Sequence, residues 1–151
     1  MKQAPPALPG EALLLLPTTR DATLACDLLS RHGLPASACR DATELGARLD
    51  QAGTVVVCEE WLAQGAHAVL AQALAAQPPW SDLPVVVVAR EGADSAQASD
   101  ALAALGNITL LERPLRITAL VSAVRAGLRA RGRQLELRGH LDALQASSEL
   151  L

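Results

Sequence analysis

Four short apolar runs in this 151-residue chain each stop at residues that could face one shared crevice. Val55-Val56-Val57-Cys58 runs into Glu59-Glu60, and Leu13 to Leu16 runs into Pro17-Thr18. Val85 to Val88 runs into Ala89-Arg90, and Ile108 to Leu111 into Glu112-Arg113-Pro114. In an open parallel sheet, ligands and catalytic groups collect at the carboxyl ends of the strands, so Pro17, Thr18, Glu59, Ala89 and Arg113 are the candidate site. Its chemistry is narrow: a carboxylate, a guanidinium and one hydroxyl. Ser30, Ser37 and Ser81 have no nucleophile-elbow context. No Gly-x-Gly-x-x-Gly or Gly-Lys-Ser/Thr loop offers a nucleotide cradle. His32, His67 and His140 fall in three separate predicted helices, with no His-Glu-x-x-His spacing, so no metal is expected.

The elements that must position these residues alternate along the chain. Residues 1 to 11, with Pro5, Pro6, Pro9 and Gly10, form a lead-in that cannot hold a helix. Leu13 to Leu16 then has the continuous apolar character of a strand buried on both faces. Thr18 caps a predicted helix through Arg31, with Leu24, Leu28 and Leu29 on its inner face and Gly33 as its stop. A weak strand at Ala36 to Cys39 follows. Asp41 and Glu44 make a capping-box-like start to a helix carrying Leu45 and Leu49, ended by Gly53. The strand Thr54 to Cys58 leads to a third helix with Leu62, Ala66, Val69, Leu70, Ala73 and Leu74 on one face, closed by Pro78-Pro79.

After the strand Val85 to Val88, a Gly- and Ser-containing loop and an Ala-rich helix around Ser95 to Leu105 are expected. The strand Ile108 to Leu111 precedes a fifth helix with Ile117, Leu120, Val121, Val124 and Leu128 on one side. Five β-α units in succession imply a parallel sheet with helices on both faces, placed over residues 12–131. Beyond it, in 132–151, Leu137, Leu141, Leu144 and Leu151 recur at four, three and seven, with Ser148 in the open slot. That is a coiled-coil seam, weakened by Gly132 and Gly139, and it predicts a short dimerising stalk. The alternative is a helix folded back on the domain.

Composition narrows the function classes. Half the residues are apolar, which favours a globular chain. There is no Phe or Tyr, and only two Trp, so aromatic stacking on nucleic-acid bases is not expected. A formal charge of −3 gives no global reason for a nucleic-acid or anionic-membrane partner. Arg113, Arg116, Arg125, Arg129, Arg131, Arg133 and Arg138 cluster late, and they read as a solvated helix face. Cys26, Cys39 and Cys58 lack Cys-x-x-Cys spacing and read as buried thiols of a reducing cytoplasm. No apolar run is long enough to span a bilayer. Trp80, beside prolines, reads as a packing residue, with a docking anchor as the alternative.

With these strand ends in place, residues 12–131 resemble the bacterial response-regulator receiver family, whose fold is CheY-like (flavodoxin-like). The resemblance implies a doubly wound five-stranded parallel sheet of order 2-1-3-4-5 with five helices. The family places an acidic pair after its first strand, a phosphoacceptor Asp at the end of the third, Ser or Thr after the fourth, and Lys-Pro after the fifth. This chain offers Pro17-Thr18, Glu59, Ala89 and Arg113-Pro114 instead. Phosphoryl transfer to a carboxylate needs Mg²⁺ held by carboxylates and waters, and Pro17 and Thr18 supply none, so Mg²⁺ is not expected. Glu59 is a methylene longer than Asp, which displaces a nucleophile from its in-line position. Ala89 has no hydroxyl, and Leu110 stands where the family often has a switching aromatic.

The resemblance therefore implies a pseudo-receiver, similar to modules at the amino terminus of hybrid sensor histidine kinases. It would act by protein contact and dimerisation, with domains downstream of the last helix expected as partners, and it would not itself be an enzyme. Glu59 and Arg113 are expected to pair in place of the phosphoryl-to-Lys contact; a slip of one residue would bring in Glu60. Either glutamate could instead be only a first-turn helix acid. The resemblance implies a cis peptide bond before Pro114, whereas local sequence alone favours trans by about 0.5–1 kcal/mol. Two other readings stay open: an atypical phosphoacceptor using Glu59 or Asp21, and a pseudo-receiver attached to a nucleic-acid-binding region.

Overall fold

The computed structural model describes residues 10–90 and 105–149. Its elements are β1 (Glu11–Leu15), α1 (Thr19–Arg31), β2 (Ala36–Ala38), α2 (Ala42–Arg48), β3 (Ala52–Cys58), α3 (Glu59–Trp61), α4 (His67–Ala75), β4 (Val85–Ala89), β5 (Ile108–Glu112) and α5 (Ile117–Glu149). All strand pairings are parallel, and the sheet order is β2-β1-β3-β4-β5. The expected lead-in, the Ala-rich helix and Leu151 lie mostly or wholly outside the described residues.

The apolar runs form strands because both faces of the sheet are covered. Side chains alternate across a strand, so a strand buried on both sides must be apolar throughout. Leu14, Val56, Cys58, Val86 and Val88 pack with Ala22, Cys26, Leu29, Leu120, Val124 and Leu128 on one face. Leu13, Leu15, Val55, Val57, Val85 and Val87 pack with Leu45, Ala66 and Leu70 on the other. The register sets Leu15 beside Val57, Cys58 beside Val88, and Ala89 beside Glu112, so the strand ends come level along one rim.

Several local expectations are corrected. Leu24 is 58% exposed and Ile117 56% exposed, so neither belongs to a core stripe. α1 buries Leu29 as expected, but with Ala22 and Cys26 in place of Leu24, small side chains that let the helix sit close to the sheet. Gly53 does not stop α2, which ends at Arg48 in a 3₁₀ turn, Leu49–Gln51; Gly53 lies inside β3. The third predicted helix is interrupted by a π turn, Leu62–Ala66, between α3 and α4. Gly65 has φ +105° there, a conformation that residues with a Cβ rarely adopt.

At the other end of the chain, no break separates the fifth helix from the extension. α5 is one helix of 33 residues that runs through Gly132 and Gly139. Leu137, Leu141 and Leu144 are 50%, 48% and 68% exposed, so the extension does not fold back to bury them. Gly127 has a different duty from the other two. A Cβ there would meet Thr54 Oγ1 at 2.8 Å and Thr54 Cβ at 3.1 Å, so α5 approaches β3 where only glycine fits.

The caps follow the sequence. Thr18 accepts a hydrogen bond from the Asp21 N–H at 3.0 Å, and Asp41 accepts one from the Glu44 N–H at 2.8 Å. Glu44 does not complete a capping box; its carboxylate turns to Arg40 and Arg48. Among the described residues, no helix is long and apolar enough to cross a membrane.

Candidate functional site

The strand ends come level on one side of the sheet, where the ends of β1, β4 and β5 line a cleft of about 590 Å³ with Leu16, Pro17, Asp21, Val88, Arg113 and Pro114 among its residues; Glu59 and Glu60 at the end of β3 lie beside it and not in its lining. Pro17 breaks the chain between β1 and α1. Thr18 is engaged as the α1 cap, so its hydroxyl is committed to the backbone. Ala89 is buried at the end of β4. The Arg113-Pro114 peptide is cis, as the resemblance implied.

The charged pair differs from the sequence expectation in its partner. Arg113 Nη2 donates to Glu60 Oε1 at 2.5 Å, with the two side chains 27% and 30% exposed. Glu59 instead accepts the backbone N–H of Arg90 at 2.8 Å, and its Oε2 lies 3.5 Å from Arg90 Nε. The expected Glu59–Arg113 pair is therefore replaced by Glu60–Arg113. Its physical cause is the helix start. β3 ends at Cys58 and α3 begins at Glu59, so helical rotation rather than strand alternation decides which glutamate turns toward β5.

Electrostatics follow this geometry. The Arg113 hydrogen bond holds the Glu60 carboxyl below the usual carboxylate range, and the same bond raises Arg113. The three thiols are all buried and unpaired. Burial pushes the Cys26 thiol up to about 11, and raises Cys39 and Cys58 as well, which disfavours thiolate chemistry.

These residues do not fit a Mg²⁺ site. The β1 end carries no carboxylate at Pro17 or Thr18, Glu60 is engaged by a guanidinium, and Glu59 is engaged by an N–H donor. Among the described residues there is no group of three or more His, Cys, Asp or Glu that could hold a metal ion.

Two participants carried no sequence signal strong enough to find them. Trp61 donates its Nε1–H to the Leu16 carbonyl at 2.9 Å and packs against the clusters on both faces, tying the β1 end to the β3 end. The Arg90 N–H that holds Glu59 is a backbone donor, which no residue type announces. Asp21 lines the cleft, as its place after β1 allowed. The serines have structural partners instead: Ser37 donates to Glu11 at 2.6 Å, and Ser81 to Gln77 at 2.8 Å.

No family model matches the chain, and no curated protein matches it. Solved structures do. A sensor protein from Polaromonas sp. JS666 is 17% identical with a TM-score of 0.65, over 81% of this chain and 98% of that one. A response regulator receiver protein from Burkholderia phymatum is 17% identical with a TM-score of 0.62, over 79% and 94%. NtrX from Brucella abortus is 24% identical with a TM-score of 0.66, over 85% of this chain but only 28% of that one. With its parallel order β2-β1-β3-β4-β5 and these likenesses, the chain has the fold of response-regulator receiver domains.

Proposed function

We propose that the chain is a phosphorylation-independent, receiver-like signalling module of a two-component protein, acting through protein contacts and dimerisation and not through an aspartyl phosphate. The observation that carries this reading is the Glu60–Arg113 pair. In the resembling family, the cation after the fifth strand meets a transient phosphoryl group. Here Arg113 meets a carboxylate that is always present, and a second carboxylate, Glu59, takes the N–H after β4. Negative charge at this crevice is thus built into the sequence. With no carboxylate at Pro17 or Thr18 and no hydroxyl at Ala89, the positions that carry the reaction in the resembling family lack its groups.

The exposed leucines of α5 support a second copy as partner, with domains encoded downstream receiving its output. A protein interface of ordinary size buries about 800 Å² per partner. Leu137, Leu141 and Leu144 are too few to supply it alone, so the interface extends to residues beyond them. Ala123, Ala126 and Ala130 lie on the adjoining stretch of the same helix face, small enough to let two helices approach closely.

The test is incubation of the chain with acetyl phosphate or beryllofluoride in Mg²⁺, followed by intact mass and thermal shift. No adduct and no shift is the expected result. An adduct lost in Asp21→Asn would establish instead an atypical acceptor at the carboxylate lining the cleft. One lost in Glu59→Gln would assign that role to Glu59.

A further inference from the structure

The face of α5 that packs on the sheet is continued by polar residues beyond the domain. At about 100° per residue, Arg131 and Arg138 extend the side that carries Leu120, Val124 and Leu128, Gln134 lies about 80° from its centre, and Leu137, Leu141 and Leu144 centre roughly 130° around the helix on the same flank as Gln134. All three polar residues hold the loop 76–84 between α4 and β4. The Asp82 N–H donates to Gln134 Oε1 at 2.8 Å, and Gln134 Nε2 donates to the Asp82 carbonyl at 2.7 Å, so one side-chain amide grips one peptide residue twice. Arg131 Nη1 donates to Ser81 Oγ at 2.7 Å and to Gln134 Oε1 at 2.8 Å. The guanidinium carbons of Arg131 and Arg138 lie 5.5 Å and 5.2 Å from the centre of the Trp80 ring, within cation–π range.

The loop is itself held in shape. Gln77 Oε1 accepts from Ser81 Oγ and from the Leu83 N–H, each at 2.8 Å, and the Ser81 N–H donates to the Pro78 carbonyl at 2.9 Å. Asn107 Nδ2, just before β5, reaches the Asp82 carbonyl at 3.4 Å. Pro78, Pro79 and Pro84 further restrict the backbone. A preorganised loop therefore meets the one helix segment that leaves the domain.

That segment needs support. Residues 136 to 148 are all exposed, with Gly139 inside the run and Gly132 four residues before it. A solvent-exposed stretch of that length containing a glycine does not sustain a helix on its own. We propose that the 76–84 loop is a clasp, which carries α5 as a helix past Gly132 and fixes its rotation so that the leucine stripe beside the clasp stays exposed. Turning the helix by one residue would break both Asp82 bonds and withdraw both guanidinium groups from Trp80. The clasp needs no second copy; its consequence for the orientation of a dimer rests on the reading above.

The experiment is hydrogen exchange on the full chain, comparing wild type with the Trp80→Ala, Gln134→Ala double variant at low and high protein concentration, with sedimentation of both. At low concentration, amides of 133–139 are expected to exchange roughly tenfold faster in the variant, while β3 and β4 keep their protection. Unchanged exchange in 133–139 overturns the clasp. Where the double variant loses β3 and β4 protection, Gln134→Ala alone, which removes the grip on Asp82 and the bond from Arg131 but leaves Trp80 in place, makes the same comparison. A wild type that sediments as a monomer at every concentration, with faster exchange still seen in the variant, sinks the dimer and keeps the clasp. A dimer with no change in exchange does the reverse.

Discussion

The assignment of Glu60 as the partner of Arg113 can be measured by a double-mutant cycle. Two unit charges about 4 Å apart attract by roughly 4 kcal/mol at an effective dielectric of 20, before desolvation and side-chain ordering are subtracted. Exposed pairs retain about 0.2–1 kcal/mol of that, while hydrogen bonds to charged groups in protected places retain about 1.5–3 kcal/mol. With side chains 27% and 30% exposed, this pair falls between those ranges, and a coupling of about 1–2 kcal/mol is expected. The variants are Arg113→Ala, Glu60→Gln and their combination, followed by urea unfolding read by circular dichroism at pH 7. Each single variant should lower the midpoint by about 0.5–1 M. A parallel cycle with Glu59→Gln should couple by less than about 0.5 kcal/mol, because Glu59 is held by Arg90. Glu60–Arg113 coupling below about 0.3 kcal/mol, or larger coupling to Glu59, would refute the reasoning.

Acid titration should show the same contact. Glu60 has its folded pKa lowered by Arg113, so its contribution is complete above the unfolded carboxyl value of about 4.3 and is lost as pH falls through the lower folded value. Unfolding curves between pH 7 and 2.5 should therefore be less steeply acid-dependent for Glu60→Gln than for wild type. Gly127→Ala places a Cβ 2.8 Å from Thr54 Oγ1, and overpacking should outweigh the gain in helix propensity, with a loss of about 1–2 kcal/mol in urea unfolding. A neutral or stabilising result would show that α5 can move away from β3 at no cost. Leu141→Asp, at the middle of the exposed leucines, should convert a sedimenting dimer to monomer without changing the domain's unfolding midpoint. Unchanged association would remove those leucines from the interface.

Much of the fold was legible because a sheet covered on both faces leaves little freedom in its strands. Val55 to Cys58 and Val85 to Val88 could hardly be anything else once four apolar runs alternated with helical patterns. Helix faces were less legible. Leu24 and Ile117 fit an apolar period but border a groove, whereas the smaller Ala22 and Cys26 do the packing that lets α1 approach the sheet. The π turn was hidden because Gly65 sits inside an apolar stripe where a glycine is usually tolerated. The crevice was legible as a set of strand ends but not as a set of contacts. Alternation runs out at Cys58, and beyond it one residue of helix rotation exchanges Glu59 for Glu60. Trp80 was legible as a packing or docking residue, but not its partners, because the loop is held through the backbone of Asp82 by a glutamine fifty-two positions away in sequence.

An aromatic-poor core has a spectroscopic consequence. With no Tyr or Phe, all near-ultraviolet emission comes from Trp61 and Trp80. Trp61 follows the carboxyl end of β3 beside the crevice, and Trp80 precedes the amino end of β4 beside the clasp, so the two indoles stand at opposite ends of a parallel sheet. Each can be silenced without touching the other's surroundings. The chain thus carries two independent optical probes, one reading the glutamate crevice and the other the root of the stalk, and comparing their transitions would tell whether the two ends move together.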